Sequence, residues 1–470
     1  MALVEINHQD SLPLIEQIVR GVMHQVDNRA LRSGSRVPSI RAFATDHGVS
    51  RFTVVQAYDR LVAAGYLNSR KGSGFYVSKP LAEVVSDAEP ACDLDRAVDV
   101  LWLLRRAMQD DQHRYQPGCG WLPAGWLDAG GLQRGLRQLS RGAAAPLVNY
   151  GRAAGYMPLR QDLQRRLGDV GIHADTRQII TTHGISHALD LICRYLVRRD
   201  DVVLVDDPSY FNLFGMLRLL GARVIGVPRR PDGPDMEVMA QLMAVHRPRL
   251  FVTSSILHNP TGSSISPAVA YRLLQLADQH DMLIIDDDIY GDFHPNPPAR
   301  LAALDQLNRV IYVSSFSKTI SASLRVGYIA CHPDLAQELL DLKLLTHLAS
   351  SEIGERVIHQ VLVEGYHRKQ MNRVQARLER AREHALGELE RSGLRPFIEP
   401  EQGFFVWAEL PPGAMNAAEL AHLALQQDIV LAPGNIFRPV PVASPWLRFN
   451  VAYCDEPAIF AFIRRQLGRE

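Results

Sequence analysis

Apolar and polar residues in the first part of the chain alternate with the period of α-helices. Apolar positions fall on one face of residues 13–26, "PLIEQIVRGVMHQV", which predicts an amphipathic helix. Residues 33–50 predict a turn, a short helix that starts after Ser39, and a second turn at Gly48. Residues 51–65 predict another helix. Its core face would be Val54, Val55, Tyr58, Leu61 and Val62. Two short helices joined by a tight turn form a helix-turn-helix.

After these helices, the pattern predicts a hairpin and then a linker. Residues 66–77, "YLNSRKGSGFYV", contain two short β-type runs around a glycine-rich turn, which is typical of a hairpin or wing. Residues 79–99 hold six acidic and two basic residues and no aromatic residue, a composition that favours a solvated linker. "DVLWLLRRAMQ" (residues 99–109) has helical spacing. This helix is either an arm, which packs on the second domain or on a partner chain, or an ordinary helix packed in the core.

From about residue 115, short β-branched runs alternate with helical segments. This alternation predicts an α/β domain built on a mostly parallel sheet. The predicted strands are residues 178–182, 202–205, 223–227, 249–255, 282–286, 310–315 and 325–331. Because ligands of such sheets bind at the carboxyl ends of the strands, we expect functional residues directly after these runs.

Composition and charge narrow the classes of protein. A chain of 470 residues is too long for one core, so we expect two or three domains. Its 47% apolar and 22% charged residues are typical of a soluble globular protein, and a formal net charge of zero excludes nucleic-acid binding through overall charge. Five scattered cysteines without a Cys-x-x-Cys pair favour a reducing compartment over a disulfide framework or a zinc site. The first residues lack a signal-peptide pattern and no apolar run has membrane length, so we predict a cytoplasmic protein.

The first 78 residues are more basic than the chain as a whole. They hold nine Lys and Arg against six Asp and Glu. The basic residues at predicted helix starts and at the wing tip are Arg36, Arg41, Arg51, Arg70 and Lys71. Ser50, Arg51 and Thr53 fall on the first turn of the second helix of the motif, which enters the major groove in such folds, and Arg51, Thr53 and Gln56 could read bases. Charge alone is equally consistent with a solvated basic face.

The pattern of this region is more specific than its charge. Residues 34–77, "GSRVPSIRAFATDHGVSRFTVVQAYDRLVAAGYLNSRKGSGFYV", resemble the winged helix-turn-helix of GntR-type bacterial transcription regulators. The resemblance implies operator DNA as a partner. The DNA-facing positions that it implies are Arg36, Ser39, Arg41, Arg51, Thr53 and Gly72.

Lysine is rare in this chain, and one lysine stands in an unusual place. Only five of the 51 basic residues are lysine, and Lys318 lies in the serine-rich segment "SSFSKTISASLR" after a predicted strand. Arginine stays protonated, whereas a lysine near other cationic groups can have a lowered pKa and act as a nucleophile.

Other predicted strands also end in chemically distinctive residues. These are "THGISHAL" (182–189), Tyr210, "HNPTG" (258–262) and "DDDIY" (286–290). The helix start in residues 182–189 offers N–H groups to a phosphate, although on its own it is also explained as a plain helix cap. Tyr210 can stack on a flat ring. Acidic residues at a strand end are costly to bury without a cationic partner. Pyridoxal phosphate explains the set, because it needs a lysine for a Schiff base, a carboxylate against its ring nitrogen, a phosphate cup and a ring stack.

Over residues 115–470 these stretches resemble the fold-type I pyridoxal phosphate enzymes of the aspartate aminotransferase class. The resemblance implies pyridoxal 5'-phosphate as the cofactor and Lys318 as its Schiff-base lysine. It implies that Asp287 pairs with the ring nitrogen and that Tyr210 stacks on the ring. Asn259 and Tyr290 would hydrogen-bond the ring oxygen.

The same resemblance implies a phosphate site and a carboxylate site. The phosphate would be held by Ile185, Ser186, Ser315 and Arg325, and by Tyr150 from the neighbouring subunit of a homodimer. Arg448 in "WLRFNVA" would bind a substrate or effector carboxylate. His187 and Gln402 depart from the family pattern, which puts the substrate in doubt, and Asp286 and Asp288 are interpreted as structural.

Together the two regions resemble the MocR subfamily of GntR-type regulators over essentially the whole length. The predicted domains are a DNA-binding domain at 1–78, a linker at 79–112 and an aminotransferase-like domain at 113–470, with a small subdomain at about 340–470. The resemblance implies a homodimer in a head-to-tail arrangement.

Three functions stay open on this basis. The first is a transcription regulator that senses pyridoxal phosphate, an amine or amino-acid effector, or both, through an aldimine at Lys318. The alternative is an active aminotransferase, by full or half transamination, with an autoregulatory DNA-binding domain. In the third, the site reports only the supply of pyridoxal phosphate. The effector, the operator and the direction of regulation do not follow from the sequence.

Overall fold

The structure is a computed structural model, and it describes residues 4, 6–7, 12–28, 30–70, 73–78, 115–142 and 145–469. The chain divides into two compact units, residues 1–93 and residues 94–470. The predicted linker at 79–112, with the helical segment at 99–109, lies outside the described residues. The domain boundaries at 78 and 113 therefore stay predictions.

The N-terminal unit is a three-helix domain with a two-stranded hairpin, as predicted. Its elements are α1 (Leu14–Asp27), α2 (Ile40–Asp46), α3 (Arg51–Ala63), β1 (Leu67–Arg70) and β2 (Gly74–Val77). The hydroxyls of Ser39 and Ser50 cap α2 and α3, because they accept the N–H groups of Ala42 at 3.2 Å and Thr53 at 3.0 Å. Gly48 makes the turn between these helices with a positive φ of 64°.

The C-terminal unit contains two sheets. The strands are β3 (Ile179–Thr182), β4 (Val202–Asp207), β5 (Arg223–Arg230), β6 (Gly233–Pro234), β7 (Leu250–Thr253), β8 (Leu283–Asp287), β9 (Val310–Ser315), β10 (Gly327–Ala330), β11 (Arg395–Pro396), β12 (Phe405–Glu409), β13 (Ala432–Pro433) and β14 (Trp446–Asn450). The first eight form one sheet in the order β3-β10-β9-β8-β7-β4-β5-β6, and the last four form an antiparallel sheet in the order β11-β12-β14-β13.

Helices cover this larger sheet and support the smaller one. They are α4 (Ala129–Arg141), α5 (Ala145–Val148), α6 (Met157–Asp169), α7 (Ile185–Leu196), α8 (Phe211–Leu219), α9 (Met236–His246), α10 (Pro267–Gln279), α11 (Leu301–Asp305), α12 (Pro333–His347), α13 (Glu352–Val363), α14 (Tyr366–Arg391), α15 (Ala417–Leu425) and α16 (Pro457–Gln466). Single 3-10 turns occur at Ala124–Trp126, Thr176–Gln178, Gly291–Phe293, Gly434–Phe437 and Val451–Tyr453.

The large sheet is mostly parallel, which confirms the predicted fold class. Strands β5, β4, β7, β8 and β9 run parallel, and β10 is antiparallel to both of its neighbours. Side chains of successive residues face opposite sides, so Val203 and Val205 join one core cluster while Val202 and Leu204 join the other. Burial on both faces explains why these strands read as continuous apolar runs in the sequence.

Within the described residues, no helix has both the length and the apolar character needed to cross a bilayer.

Candidate functional site

The carboxyl ends of the parallel strands surround one open cavity. It has a volume of about 550 Å³, including solvent at its mouth. Its lining residues are Ile185, Ser186, Tyr210, Ser254, Asn259, Asp287, Ile289, Tyr290, Ser317, Lys318 and Arg325. The structure thus brings together the residues that the sequence assigned to the cofactor, apart from Ser315 and Tyr150. The reason is topological, since parallel strands all end at the same edge of a sheet.

Lys318 follows β9 and presents its amine to this cavity. The pKa of the amine is lowered from 10.5 to about 8, chiefly by burial and then by the guanidinium groups of Arg448 and Arg325, while Asp287 acts in the opposite direction. A neutral amine is a nucleophile, so this lysine is chemically suited to bind a carbonyl compound covalently.

The three consecutive aspartates have three different environments. Asp286 accepts the N–H of Ser255 at 2.9 Å and its hydroxyl at 2.8 Å. Asp288 accepts hydrogen bonds from the guanidinium of Arg300 and from Tyr312 Oη, the latter at 2.7 Å. These two carboxylates tie the strand ends together.

Asp287 faces the cavity instead. Its Oδ1 accepts the N–H of Ile289 at 3.2 Å, and burial raises the pKa of its carboxyl to about 7. A buried carboxylate gains stability from a cation, so a protonated ring nitrogen on a ligand would satisfy it.

Two tyrosines and an asparagine complete the wall for a flat ring. Tyr210 stands at the start of α8, and its Oη accepts a hydrogen bond from Asn212 Nδ2 at 2.8 Å. Asn259 Nδ2 lies 3.5 Å from Tyr290 Oη. Burial raises the pKa of Tyr290, so its hydroxyl stays protonated and remains a hydrogen-bond donor.

The N-terminus of α7 forms an anion cup. Ile185 and Ser186 begin this helix, where backbone N–H groups have no partner within the helix. Gly184 precedes them with φ of 75°, and a Cβ at this position would lie 2.6 Å from Arg325 Nη2, so only glycine fits. Arg325 itself has φ of 51°, a left-handed conformation that costs a non-glycine residue about 1–3 kcal/mol.

Arg325 and two serines form the other side of the cup. Arg325 is exposed, and its guanidinium lies 3.4 Å from Ser317 Oγ and 3.2 Å from the carbonyl oxygen of His183. Ser315 Oγ lies 2.8 Å from Ser317 Oγ and donates to the carbonyl of Val326 at 3.0 Å. Ser317 lines the cavity and Ser315 does not, so the sequence reasoning missed Ser317, as it missed Ser254 and Ile289 in the same lining.

His187 is hydrogen-bonded to the loop that precedes α7. The backbone N–H of His183 donates to His187 Nδ1 at 3.0 Å, and the rings of His187 and His347 lie 4.0 Å apart. Burial, together with the neighbouring His347, His183 and Lys343, lowers the pKa of His187 to about 3. This residue is therefore a neutral hydrogen-bond acceptor that fixes the loop before α7.

Arg448 lies beside the cavity with part of its guanidinium already paired. Nη1 donates to Asn259 Oδ1 at 2.8 Å and Nη2 donates to the carbonyl of Gly118 at 2.6 Å, while the rings of Phe405 and Phe437 flank it at 4.4 Å and 4.9 Å. Its Nε is buried and has no hydrogen-bond partner among the described residues. A carboxylate would supply that missing acceptor.

A buried polar network holds the loop that carries Asn259. Arg229 Nη1 lies 3.2 Å from Asp206 Oδ2, and Arg229 Nη2 donates to the carbonyl of Ser254 at 3.3 Å. His258 Nε2 lies 3.5 Å from the same carboxylate oxygen. No local signal in the sequence predicts this network, because Asp206 lies on β4 and Arg229 on β5.

Tyr150 is not part of the cavity. Its side chain is 87% exposed, so its ring points away from the unit that carries it. A role in this chain's own cavity is not supported, whereas the predicted reach to a neighbouring subunit stays a prediction.

The candidate DNA-binding residues lie at the start of the two helices of the motif. Arg36, Arg41 and Arg51 are exposed. The hydroxyls of Ser50 and Thr53 lie 2.8 Å apart and take part in the cap of α3, while Ser39 caps α2. Gln56 follows one turn into α3 and is partly exposed. Lys71 and Gly72 at the wing tip lie outside the described residues.

Two regions of the chain match known protein families. Residues 127–465 match the family of class I and II aminotransferases, and residues 14–77 match the bacterial regulatory proteins of the gntR family. An uncharacterized HTH-type transcriptional regulator of Bacillus subtilis, YdfD, is 27% identical over 466 residues, which cover 97% of this chain and 96% of that one.

Two aminotransferases match a large part of the chain, one by sequence and one by structure. The 2-aminoadipate transaminase of Thermus thermophilus is 31% identical over 330 residues, covering 68% of this chain and 81% of that one. The structure of Pyrococcus horikoshii kynurenine aminotransferase matches with a TM-score of 0.72 at 25% identity, covering 79% of this chain and 93% of that one.

Proposed function

Because this chain belongs to the class I and II aminotransferase family and carries a GntR-type DNA-binding domain, we propose that it is a regulator that senses pyridoxal phosphate, an amine or amino-acid effector, or both. The combination is that of MocR-type regulators, and a relative matched over 97% of this chain is named as an HTH-type transcriptional regulator. The observation that carries the proposal is the cavity at Lys318, joined on one chain to a winged helix-turn-helix. DNA binding is assigned to residues 1–78 and sensing to residues 113–470.

The residues of the cavity fit pyridoxal phosphate. The cup at Ile185 and Ser186 offers N–H groups to a phosphate, and a Cβ at Gly184 would obstruct Arg325 beside it. The buried carboxyl of Asp287, with its raised pKa, suits a ring nitrogen that carries a proton.

When bound, pyridoxal phosphate supplies an aldehyde that reacts with primary amines and a ring that withdraws electrons. Lys318 contributes the amine that holds the cofactor, and its lowered pKa leaves part of the amine neutral near pH 8. Asp287 would keep the ring nitrogen protonated, and Tyr210 would cover one face of the ring. Tyr290 and Asn259 would donate hydrogen bonds to the ring oxygen.

Arg448 is proposed to select effectors that carry a carboxylate. Its buried Nε lacks an acceptor among the described residues, and two aromatic rings fix the guanidinium plane. An amino acid would place its carboxylate on Arg448 and its amine near Lys318. An effector held at both points would bind one conformation of the protein more tightly than another and would shift the population toward it. If the two conformations differ in their affinity for DNA, the effector would thereby change operator binding.

A second function is supported by the same cavity. Lys318, Asp287 and Tyr210, which an aminotransferase would use, line this cavity, and a 31% identical relative is named as a 2-aminoadipate transaminase. Full or half transamination with autoregulation by the DNA-binding domain is therefore the alternative. A homodimer is proposed in either case, with Tyr150 directed to the partner subunit because its side chain is so exposed.

One experiment separates these functions. Purified protein is loaded with pyridoxal phosphate, then given a panel of amino acids and simple amines, while absorption, oxo-acid release and operator affinity are followed. A lasting change of the absorption band together with a change in operator affinity, without oxo acid, supports effector sensing. Sustained oxo-acid release supports the aminotransferase. An operator response to the cofactor alone supports a sensor of cofactor supply, and a wild-type protein that takes up no cofactor refutes all three.

A further inference from the structure

The large apolar side chain of Phe52 is exposed on the DNA-binding unit. Among the described residues of this unit, Phe52 is the only large apolar residue with an exposed side chain, and its exposed fraction is 69%. Phe52 is the second residue of α3, whose N-cap is Ser50. Burial of an exposed phenylalanine ring is favourable, so a partner that covers Phe52 would gain affinity from this contact.

The helix geometry shows where Phe52 points. The buried residues of α3 are Val54, Ala57, Tyr58 and Leu61. At about 100° per residue, Phe52 lies roughly opposite this buried face. Gln56 is one turn further along the same outward line. These two side chains are therefore directed to whatever lies in front of the helix.

The surroundings of Phe52 favour DNA as that occupant. Arg51, which precedes Phe52 in the sequence, and Arg41 at the start of α2 are both exposed, so cationic groups suited to phosphates stand at the starts of both helices of the motif. The hydroxyls of Ser50 and Thr53 are engaged in the helix cap, so Phe52 and Gln56, together with the exposed Arg51, are the side chains of the first turns that are free to meet DNA bases.

The major groove has one apolar feature, the C5-methyl group of thymine, and phenylalanine is among the side chains that contact it. We propose that Phe52 contacts a thymine methyl in the operator and thereby specifies an A·T pair at that position. Gln56, which can bond adenine, would read a pair nearby. This inference rests on the proposed DNA-binding function and adds a sequence preference to it.

The test removes one methyl group at a time. Operators are first selected from random duplexes with the full-length protein. Each recurring thymine is then replaced by uracil, which lacks only the methyl group. Dissociation constants are measured for the wild type, Phe52→Ala and Gln56→Ala. Leu219→Ala, which trims a 90% exposed side chain in the other unit, is the matched control.

The expected pattern is specific to one contact. Uracil at one or two positions should weaken wild-type binding about fourfold each, the equivalent of one buried methyl group. The Phe52→Ala variant should bind the thymine operator about tenfold more weakly than the wild type. Its dissociation constant should not change further when uracil replaces thymine at those positions. Gln56→Ala should keep the sensitivity to uracil, and Leu219→Ala should match the wild type.

Three results would overturn the inference. Phe52→Ala could bind the operator like the wild type, which would indicate that the ring meets a protein partner instead. It could lose affinity yet keep the full response to uracil, which would place the methyl contact on another residue. If the wild-type protein selects no sequence at all, the proposed DNA-binding function falls together with this inference.

Discussion

Raising the pH through 8 should activate Lys318. Burial, followed by the charge of Arg448, lowers the pKa of its amine from 10.5 to about 8. Since only the neutral amine is a nucleophile, the rate at which the cofactor-free protein takes up pyridoxal phosphate should rise with pH and level off, with a midpoint near 8.

The size of the effect follows from the two pKa values. At pH 7.5 an amine with a pKa of about 8 is neutral in about a quarter of the molecules, whereas at a pKa of 10.5 the neutral share is about one in a thousand. Burial should thus increase uptake at this pH about 200-fold over an ordinary lysine. In Arg448→Met a cation that opposes protonation of Lys318 is lost, so the midpoint should move upward and uptake at pH 7.5 should fall.

Stopped-flow absorption over a range of pH measures the rate, and borohydride trapping with peptide mass spectrometry identifies the lysine. Lys343 is an internal control, because burial also lowers its pKa to about 8. Its Nζ, however, donates to the carbonyls of Ala153 at 2.5 Å and Thr181 at 2.8 Å, and it does not line the cavity. Lys318→Ala should abolish the trapped product.

Two outcomes would refute this reasoning. A wild-type rate that still climbs steeply between pH 9 and pH 10 would show that the fold does not depress the pKa of Lys318. A label on Lys343 would show that a lowered pKa suffices without the cavity, and the site assignment would fail.

Three further predictions concern arginines. Arg51→Ala should weaken operator binding by about 1–3 kcal/mol in fluorescence anisotropy and leave cofactor absorption unchanged; loss of both would mean that the two units do not act separately. Arg448→Ala should weaken carboxylate-bearing effectors about 10- to 150-fold in calorimetric titrations, because a charged hydrogen bond is lost. An equal loss for simple amines would contradict that role. Arg229→Leu should lower the free energy of unfolding by about 3–5 kcal/mol in denaturant titrations, since it leaves the buried Asp206 without its cation. Adding Asp206→Leu should restore part of that stability, and no recovery would argue against the pair.

The strands were predictable because their cause is local. Residues 310–315 were predicted as a strand and form β9 with the same bounds, and most other predicted strands differ by one to three residues at an end. Burial on both faces gives each strand a short apolar run that can be read without knowing its neighbours. The order of the strands in the sheet, with β10 antiparallel between β3 and β9, depends on pairing between distant segments and had no local signal.

The site was predictable to the extent that its residues follow strands. Lys318 was found because a lysine is rare in this chain and stands out after an apolar run, whereas Asp287 and Asn259 were assigned by the resemblance to the fold-type I enzymes. The partners of Arg448 were not predictable, since the carbonyl of Gly118 is a backbone group 330 residues away. Ser317 was missed because nothing in "SSFSK" shows which serine turns towards the cavity.

By itself the sequence determined the two-part organisation, the fold class and the candidate lysine, since these follow from periodicity, composition and motif. Only the tertiary structure decided how three adjacent aspartates differ. Asp286 meets Ser255 and Asp288 meets Arg300, whereas Asp287 is left facing the cavity with a raised pKa. Burial and neighbouring charges set the state of each carboxyl, and both depend on groups that the fold brings together from far along the chain.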